Sequence, residues 1–327
     1  MRYVRNPSTD VYYNMAFDAF CLEELAPDEP VFCLWQNAPS VIIGRNQNAL
    51  GEVNMPYLEA HGIRLARRVT GGGAVYHDLG NLNYTITGRS ADLQRDYPRY
   101  PTLIIDALRS LGVEAALSGR NDIRVRGRKV SGYAKRVWKD RLMVHGTLMY
   151  DVDLDALTQA LSVPGSKLQA AGIASVRSRV CNLRDVLPHI PDVRALAAAL
   201  EDILSRHRAD AEVPVTDAQR AAVQQRAQQR FASWDWVIGR SPQSAIVRKG
   251  RYACGTIEAH LTTAHGRIAA LHFAGDFIGD RPAEALADAL TGCPYERTAV
   301  LSTLHTLAVE ETFDHLTPEE LTTLLLL

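Results

Sequence analysis

Three strand-like stretches, Ile123–Val125, Val130–Ala134 and Leu142–Tyr150, follow one another within 28 residues, and Arg126-Gly127-Arg128 turns the first pair. Parallel strands need a crossover of a dozen or more residues, so this spacing predicts an antiparallel three-strand meander. Upstream, Leu82–Ile86 is expected to pair with Ala74–Tyr76 across Asp78-Leu79-Gly80-Asn81 as a second hairpin. Val31–Trp35 and Val41–Ile43 read as buried strands around Asn37-Ala38-Pro39. Helical spacing covers residues 14–25, ended by Pro27, and Ile104–Leu111. Strands joined by tight hairpins and mixed with helices exclude a doubly wound parallel sheet. The predicted class is α/β in the α+β sense, with a mixed, largely antiparallel sheet.

Composition shifts near residue 215, where a Gln/Arg/Ala-rich helical stretch, Ala218–Arg230, leads to Trp234-Asp235-Trp236 and then Gly239-Arg240-Ser241-Pro242. This punctuation places a boundary near 240 and divides the chain into a domain of residues 1–240 and a small one of 241–327. In the latter, Gly255–Leu261 alternates polar and apolar residues as a half-buried strand, and Arg267–Phe273 is a second, joined through His265-Gly266. Two helices are expected to close the chain; the last begins with a Thr317/Glu320 capping box and Pro318 at its first position. No internal repeat or low-complexity tract is present.

With 46% hydrophobic and 22% charged residues in 327, the chain reads as a globular protein with a substantial core. It begins without an apolar signal core and holds no run of about 18 apolar residues, so no membrane association and a cytoplasmic location are expected. The five cysteines are widely spaced without a C-x-x-C pair, which argues against both a disulfide framework and a zinc site. A net charge of −1 draws the whole chain to neither nucleic acid nor anionic lipid. Charge is nonetheless focused: residues 120–141 hold nine Lys and Arg against Asp122 and Asp140. Such a run suits a solvated face as well as a field for a polyanion or an acidic partner.

Residues 67–81 place Arg67 and Arg68 before Gly71, Gly72 and Gly73. Successive glycines let backbone N–H groups approach an anion, and a guanidinium can hold two phosphate oxygens. The same run also suits a plain turn, and its spacing fits neither the P-loop nor the dinucleotide fingerprint. A second cluster joins Asp122, then Lys129 between Gly127 and Gly132, then His145-Gly146-Thr147. Singly, these read as a turn carboxylate, a surface lysine and a core histidine. Together they suit the joining of a carboxylate to ATP, in which two anions must be neutralised as charge builds on phosphorus.

In register, Arg-Arg-Val-Thr-Gly-Gly-Gly-Ala-Val-Tyr-His-Asp, Asn-Asp-Ile with Gly-Arg-Lys-Val-Ser-Gly, His-Gly-Thr-Leu-Met and Gly-Ile-Ala-Ser-Val-Arg-Ser-Arg-Val-Cys-Asn-Leu resemble the lipoate–protein ligase family. The resemblance extends upstream to residues 41–48 and through both the boundary and the tail, so it covers almost the whole chain. It implies a catalytic domain like those of biotin ligases and class II aminoacyl-tRNA synthetases, a small α/β accessory domain, and ATP, Mg²⁺ and lipoate as ligands. It further implies transfer of the lipoyl group to lipoyl-domain proteins: 2-oxoacid dehydrogenase acyltransferase subunits and the glycine-cleavage H protein.

Carried over by position, Lys129 is the catalytic lysine that meets both the lipoate carboxylate and the α-phosphate. Arg68, Gly73, Ala74, Val75, Tyr76 and Asp122 fall at the nucleotide, with Asp122 on the Mg²⁺ side. Arg45, Gly71, Gly72, Gly73, His77 and His145 fall at the lipoyl chain. Gly172, Ser175, Val176 and Arg179 belong to the loop that closes on the adenylate. Two departures stand out, Val144 where some members have histidine and Cys181 where threonine is usual. Cys181 keeps open an ATP-independent octanoyl or lipoyl transferase working through a thioester; biotin ligation and a non-catalytic lipoyl-domain binding module are further alternatives. A monomer is expected, since no heptad or long exposed apolar stripe appears.

Overall fold

The computed structural model describes all residues except 26–28, 48, 91–96, 162–178, 207–210, 241–245, 265–266, 296 and 327. The strands before residue 150 are β1 (Arg2–Tyr3), β2 (Val31–Trp35), β3 (Ser40–Ile43), β4 (Arg64–Arg67), β5 (Val75–His77), β6 (Asn81–Arg89), β7 (Ala115–Ser118), β8 (Asp122–Val125), β9 (Arg128–Trp138) and β10 (Arg141–Met149). Seven of them form one sheet in the order β1-β2-β6-β10-β9-β8-β7, and a smaller sheet runs β4-β3-β5. The large sheet is antiparallel except where β1 meets β2. The meander is present as β8, β9 and β10. Its first turn holds Arg126 at φ +50 and Gly127 at φ +78, the paired positive φ that matches strand twist in a two-residue hairpin.

The expected hairpin of Ala74–Tyr76 with Leu82–Ile86 does not form. β6 is paired on one edge by β2 and on the other by β10, so no edge remains for β5, which joins β3 in the smaller sheet. Asp78 redirects the chain: its Oδ1 accepts from Gly80 N at 2.8 Å and its carbonyl from Asn81 N at 3.1 Å.

Alternation along β10 assigns its two faces. Leu142, Val144 and Leu148 enter a core with Phe32, Ile86 and the helices Arg99–Ser110 and Val193–Ser205. Val144 is fully buried there, so the departure from histidine is absorbed by packing on the face away from the site. Met143 and Met149 enter the opposite core, with helix α1 (Val11–Glu23) and the smaller sheet. Asp10 caps α1 through its side chain, which accepts from Tyr13 N at 2.9 Å, and so starts the helix before the expected residue 14.

Strands β11 (Ile246–Tyr252), β12 (Gly255–Ala264) and β13 (Arg267–Gly275) form an antiparallel sheet with its own core. Instead of two closing helices there are four helical segments, at 284–290, 297–304, 309–312 and 318–326. The Thr317/Glu320 capping box starts the last one, Glu320 N donating to Thr317 Oγ1 at 3.2 Å. This small unit rests on the glycine loop: Gly72 N donates to Phe277 O at 3.3 Å and Gly275 N to Asn46 O at 2.6 Å. Lys135 pairs with Asp280 at 3.1 Å, and Arg45 with Glu284 at 3.3 Å.

Candidate active site

A pocket of about 630 Å³ opens between the two sheets, walled by Gly72, Gly73, Ala74, Val75 and His77 on one side and by β2, β6, β9 and β10 on the other. The glycine loop is shaped by contact before it meets any ligand. A Cβ on Gly71 would lie 2.5 Å from Phe277 O, and one on Gly44 would lie 2.0 Å from Gly72 O. Gly72 has φ +93, whereas a Cβ on Gly73 would meet only the Asp276 side chain, at 3.7 Å.

The two arginines act differently from the sequence expectation. Arg67 is fully buried and donates to the carbonyls of Gly44, Gln47, Trp236 and Val237 at 2.7–3.1 Å. It is therefore a brace between the loop after β3 and the 235–239 turn, not an anion ligand, and burial pulls its pKa down to about 10. Arg68 borders the pocket, but its guanidinium is spent mostly on the loop, donating to Gly71 O and Gly73 O, each at 2.8 Å, and to Ile42 O at 3.1 Å. It sets the curvature of the glycine run.

Lys129 lies at the rim, about one-third exposed, with Nζ 2.7 Å from Asp122 Oδ1. The ammonium folds back across β9, and a Cβ on Gly132 would stand 2.9 Å from it, a contact that the flexible lysine side chain would have to shift to relieve. Gly132 N donates to Thr147 Oγ1 at 3.3 Å, tying this point to β10. The other oxygen of Asp122 faces Arg124 at 3.4 Å. Both carboxylate oxygens thus meet cations, and among the described residues no group of three His, Cys, Asp or Glu could hold a metal. The donors present do not fit a resident Mg²⁺; Asp122 is the orienting partner of Lys129.

The pocket floor carries a buried polar chain that sequence reading missed apart from His145. His145 Nδ1 meets Asp18 Oδ2 at 2.5 Å and Nε2 meets Thr70 Oγ1 at 2.7 Å. Thr85 Oγ1 donates to Asp18 Oδ1 at 2.5 Å and accepts from Trp35 Nε1 at 3.0 Å. The available signal was Asn14 and Asp18, two polar residues four apart on the one face of a helix that is otherwise apolar and buried.

Of the remaining predicted residues, Ala74, Val75 and His77 line the pocket, whereas Tyr76 does not, because it points the opposite way on β5. Arg45 and Gly71 are also removed from it, facing the junction with the small unit, where Arg45 pairs with Glu284. Gly172, Ser175 and Val176 lie outside the described residues. Arg179 is exposed, and directly after it Val180 bridges to Lys129 while Cys181 N donates to Lys129 O at 3.0 Å. The end of that segment therefore buttresses Lys129. Cys181 itself is buried, burial raises its thiol pKa, and among the described residues no cysteine lines the pocket.

A largely antiparallel sheet with a lysine at the mouth of an apolar pocket, followed by a small sheet with its own core, sets the class, and comparison gives the family. The lipoyl protein ligase A/B catalytic domain matches residues 10–205, and the bacterial lipoate protein ligase C-terminus matches 241–325. The chain belongs to the lipoate–protein ligase family. It is 37% identical to lipoate-protein ligase LplJ of Bacillus subtilis over 319 residues, 95% of each chain. Its fold follows that of P. falciparum LipL1 in complex with lipoate at a TM-score of 0.82, with 24% identity and 99% of both chains covered. A lipoate-protein ligase A bound with ATP is 28% identical with a TM-score of 0.64, covering 73% of this chain and 98% of that one. The bi-partite lipoate protein ligase of Thermoplasma acidophilum, solved in a study with its E2 lipoyl domain, is 28% identical with a TM-score of 0.67, covering 75% and 98%.

Proposed function

We propose that this protein activates lipoate with Mg²⁺·ATP to lipoyl-AMP and pyrophosphate, then passes the lipoyl group to a lysine of lipoyl-domain proteins. The acceptors in this reading are 2-oxoacid dehydrogenase acyltransferase subunits and the glycine-cleavage H protein. Residues 1–240 would carry the chemistry, with 241–327 as the accessory domain. The observation that carries the reading is Lys129: an ammonium at the mouth of a largely apolar pocket, held by a single carboxylate and about one-third exposed to solvent.

A fatty-acid carboxylate entering the pocket takes over the ammonium from Asp122, and Lys129 then faces two anions at once. It lowers the repulsion as the carboxylate oxygen forms a bond to the α-phosphorus and the bond to pyrophosphate breaks. In the second step the acceptor amine attacks the acyl carbonyl, an amide forms, AMP leaves with the electron pair of the broken anhydride bond, and the amine gives up a proton to solvent. Mg²⁺ enters here as the counter-ion of ATP. Asn121, beside Lys129 on the pocket wall, is kept in place by donating to Tyr133 O at 2.8 Å.

The test supplies purified protein with lipoate, Mg²⁺, ATP and a lipoyl domain, and reads the acceptor by mass. The lipoyl adduct should appear with ATP and be absent without it. Lys129→Ala should slow pyrophosphate release at least about a hundredfold, the scale of one preorganised donor to a developing charge. Near-normal release by that variant would remove Lys129 from the mechanism.

A further inference from the structure

Two buried hydrogen-bond donors in the pocket wall have no protein partner, and the reaction outlined above does not use them. His77 is 4% exposed and Asn83 is 1% exposed; His77 Nε2 and Asn83 Nδ2 are both buried without a hydrogen bond, and both residues line the pocket. A buried polar group left without a hydrogen bond is costly, so two at one site point to a ligand that completes them.

The identity of the free atom on His77 follows from a relay of amides. Asn14 Nδ2 donates to Ser8 O, Gln36 O and Asn37 Oδ1 at 2.8–3.0 Å, so Asn14 can present only its oxygen to Asn6 Nδ2. With its oxygen occupied by Asn14, Asn37 donates through Nδ2 to His77 Nδ1 at 3.0 Å. Nδ1 is therefore an acceptor, and the ring proton sits on Nε2, facing the pocket. Burial, with Arg68 and His145 nearby, lowers the pKa of His77 to about 3, which keeps the ring neutral. Asn83 Oδ1 accepts from Asn81 Nδ2 at 2.9 Å, which leaves the Asn83 amide N–H groups free; Asn81 Oδ1 is itself unpartnered, so no further amide fixes this pair as Asn14 fixes Asn37.

Strand register shows which end of a bound acid these donors meet. Trp35, Asn83 and Thr147 stand side by side on β2, β6 and β10, and Gly132, under the Lys129 ammonium, is tied to Thr147 from β9. With strands about 4.8 Å apart, Trp35 is about 14 Å and Asn83 about 10 Å across the sheet from that ammonium. The His77 ring lies edge-on to Trp35, with centroids 6.4 Å apart. The donors thus sit at the tail end, far from the carboxylate.

We propose that His77 and Asn83 form a neutral donor pair that recognises weak acceptor atoms at the tail of the bound acid, the dithiolane sulfurs of lipoate, and so favours it over a plain fatty acid of the same skeleton. The assignment rests on the placement of the carboxylate at Lys129 made above. Asn37 is the positioning residue that fixes the His77 tautomer.

The experiment measures calorimetric Kd and ATP-dependent pyrophosphate release for lipoate and for octanoate, which lacks the sulfurs, with the wild type, His77→Phe and Asn83→Leu. Each variant is checked for folding by circular dichroism, and Asn83→Leu leaves the Asn37 relay untouched should His77→Phe fail to fold. A hydrogen bond to sulfur is at the weak end of the neutral range, so each folded variant should lower the lipoate-over-octanoate preference by roughly two- to tenfold. An unchanged preference in the folded variants, including an equal loss for both acids, overturns the proposal. If the wild type activates neither acid, it is the ligase reading that fails.

Discussion

Arg67→Lys separates a brace from a phosphate ligand. In the fold, the Arg67 guanidinium spreads its donors over the carbonyls of Gly44, Arg45, Gln47, Trp236 and Val237, all within 3.1 Å. A lysine keeps the charge but offers three hydrogens from one point, so at least two of those five carbonyls lose their donor. At about 1–3 kcal/mol for each buried acceptor left unmade, the cost is about 2–6 kcal/mol, a large share of the stability of an ordinary domain. Urea unfolding followed by tryptophan fluorescence should show the loss directly, because Trp236 packs on this brace and its Nε1 donates to Arg67 O at 2.9 Å. The folded fraction should keep its KM for ATP, since Arg67 reaches no open surface. A variant of wild-type stability whose KM for ATP rises tenfold or more would refute the reasoning and return Arg67 to the anion site.

Cys181→Ser should retain ATP-dependent lipoylation, since the thiol is buried and outside the pocket lining; loss of acyl transfer with normal folding would revive the thioester route. His77 gives a pH signature whose sign follows from its depressed pKa: the unfolded ring binds a proton near pH 6.5 and the folded ring only near about 3. Its contribution to stability is complete above pH 6.5 and is lost as pH falls toward 3, at up to about 1.4 kcal/mol per pH unit for the one proton. Urea midpoints collected across that window should lose this slope in His77→Gln, and an unchanged slope would show that the ring is protonated in the native state.

The parts of the fold that sequence exposed were those governed by short-range chemistry. Arg126-Gly127 dictates a two-residue turn and hence the antiparallel pairing of β8 with β9, and Thr317 with Glu320 dictates a helix start. The misread hairpin failed for a long-range reason. Residues 74–76 and 82–86 have the right pattern and spacing, but both edges of β6 are claimed by strands some fifty residues before it and sixty after it in the chain. Periodicity reports which face is buried; it carries no record of which neighbour occupies an edge.

At the site, Lys129, Gly73, Ala74, Val75, His77 and His145 were legible because the motif places them in one short reach of the pocket. Arg45, Gly71 and Tyr76 share the motif but not the pocket. A motif compresses two requirements into one string: residues that face a ligand, and residues that let another part of the chain pack behind them. Asp18, Thr85 and Asn37 were illegible for the opposite reason, since each is a single polar residue brought from a different part of the chain.

The glycine triplet contributes to one wall of the pocket. Its conformation is held from three directions: by Arg68 through the carbonyls of Gly71 and Gly73, by Phe277 through the N–H of Gly72, and by Gly44 through direct backbone contact. With Gly72 N already donating to the small unit and Gly71 pressed against it, the triplet is not a row of free N–H groups, although Gly72 and Gly73 both line the pocket. In the proposed reading an anion at this site draws its neutralisation from Lys129, whose single carboxylate partner is exchanged for substrate. The glycines supply shape: they let a loop pass close enough to β3 for Ala74, Val75 and His77 to stand opposite the large sheet and close the pocket around an apolar chain.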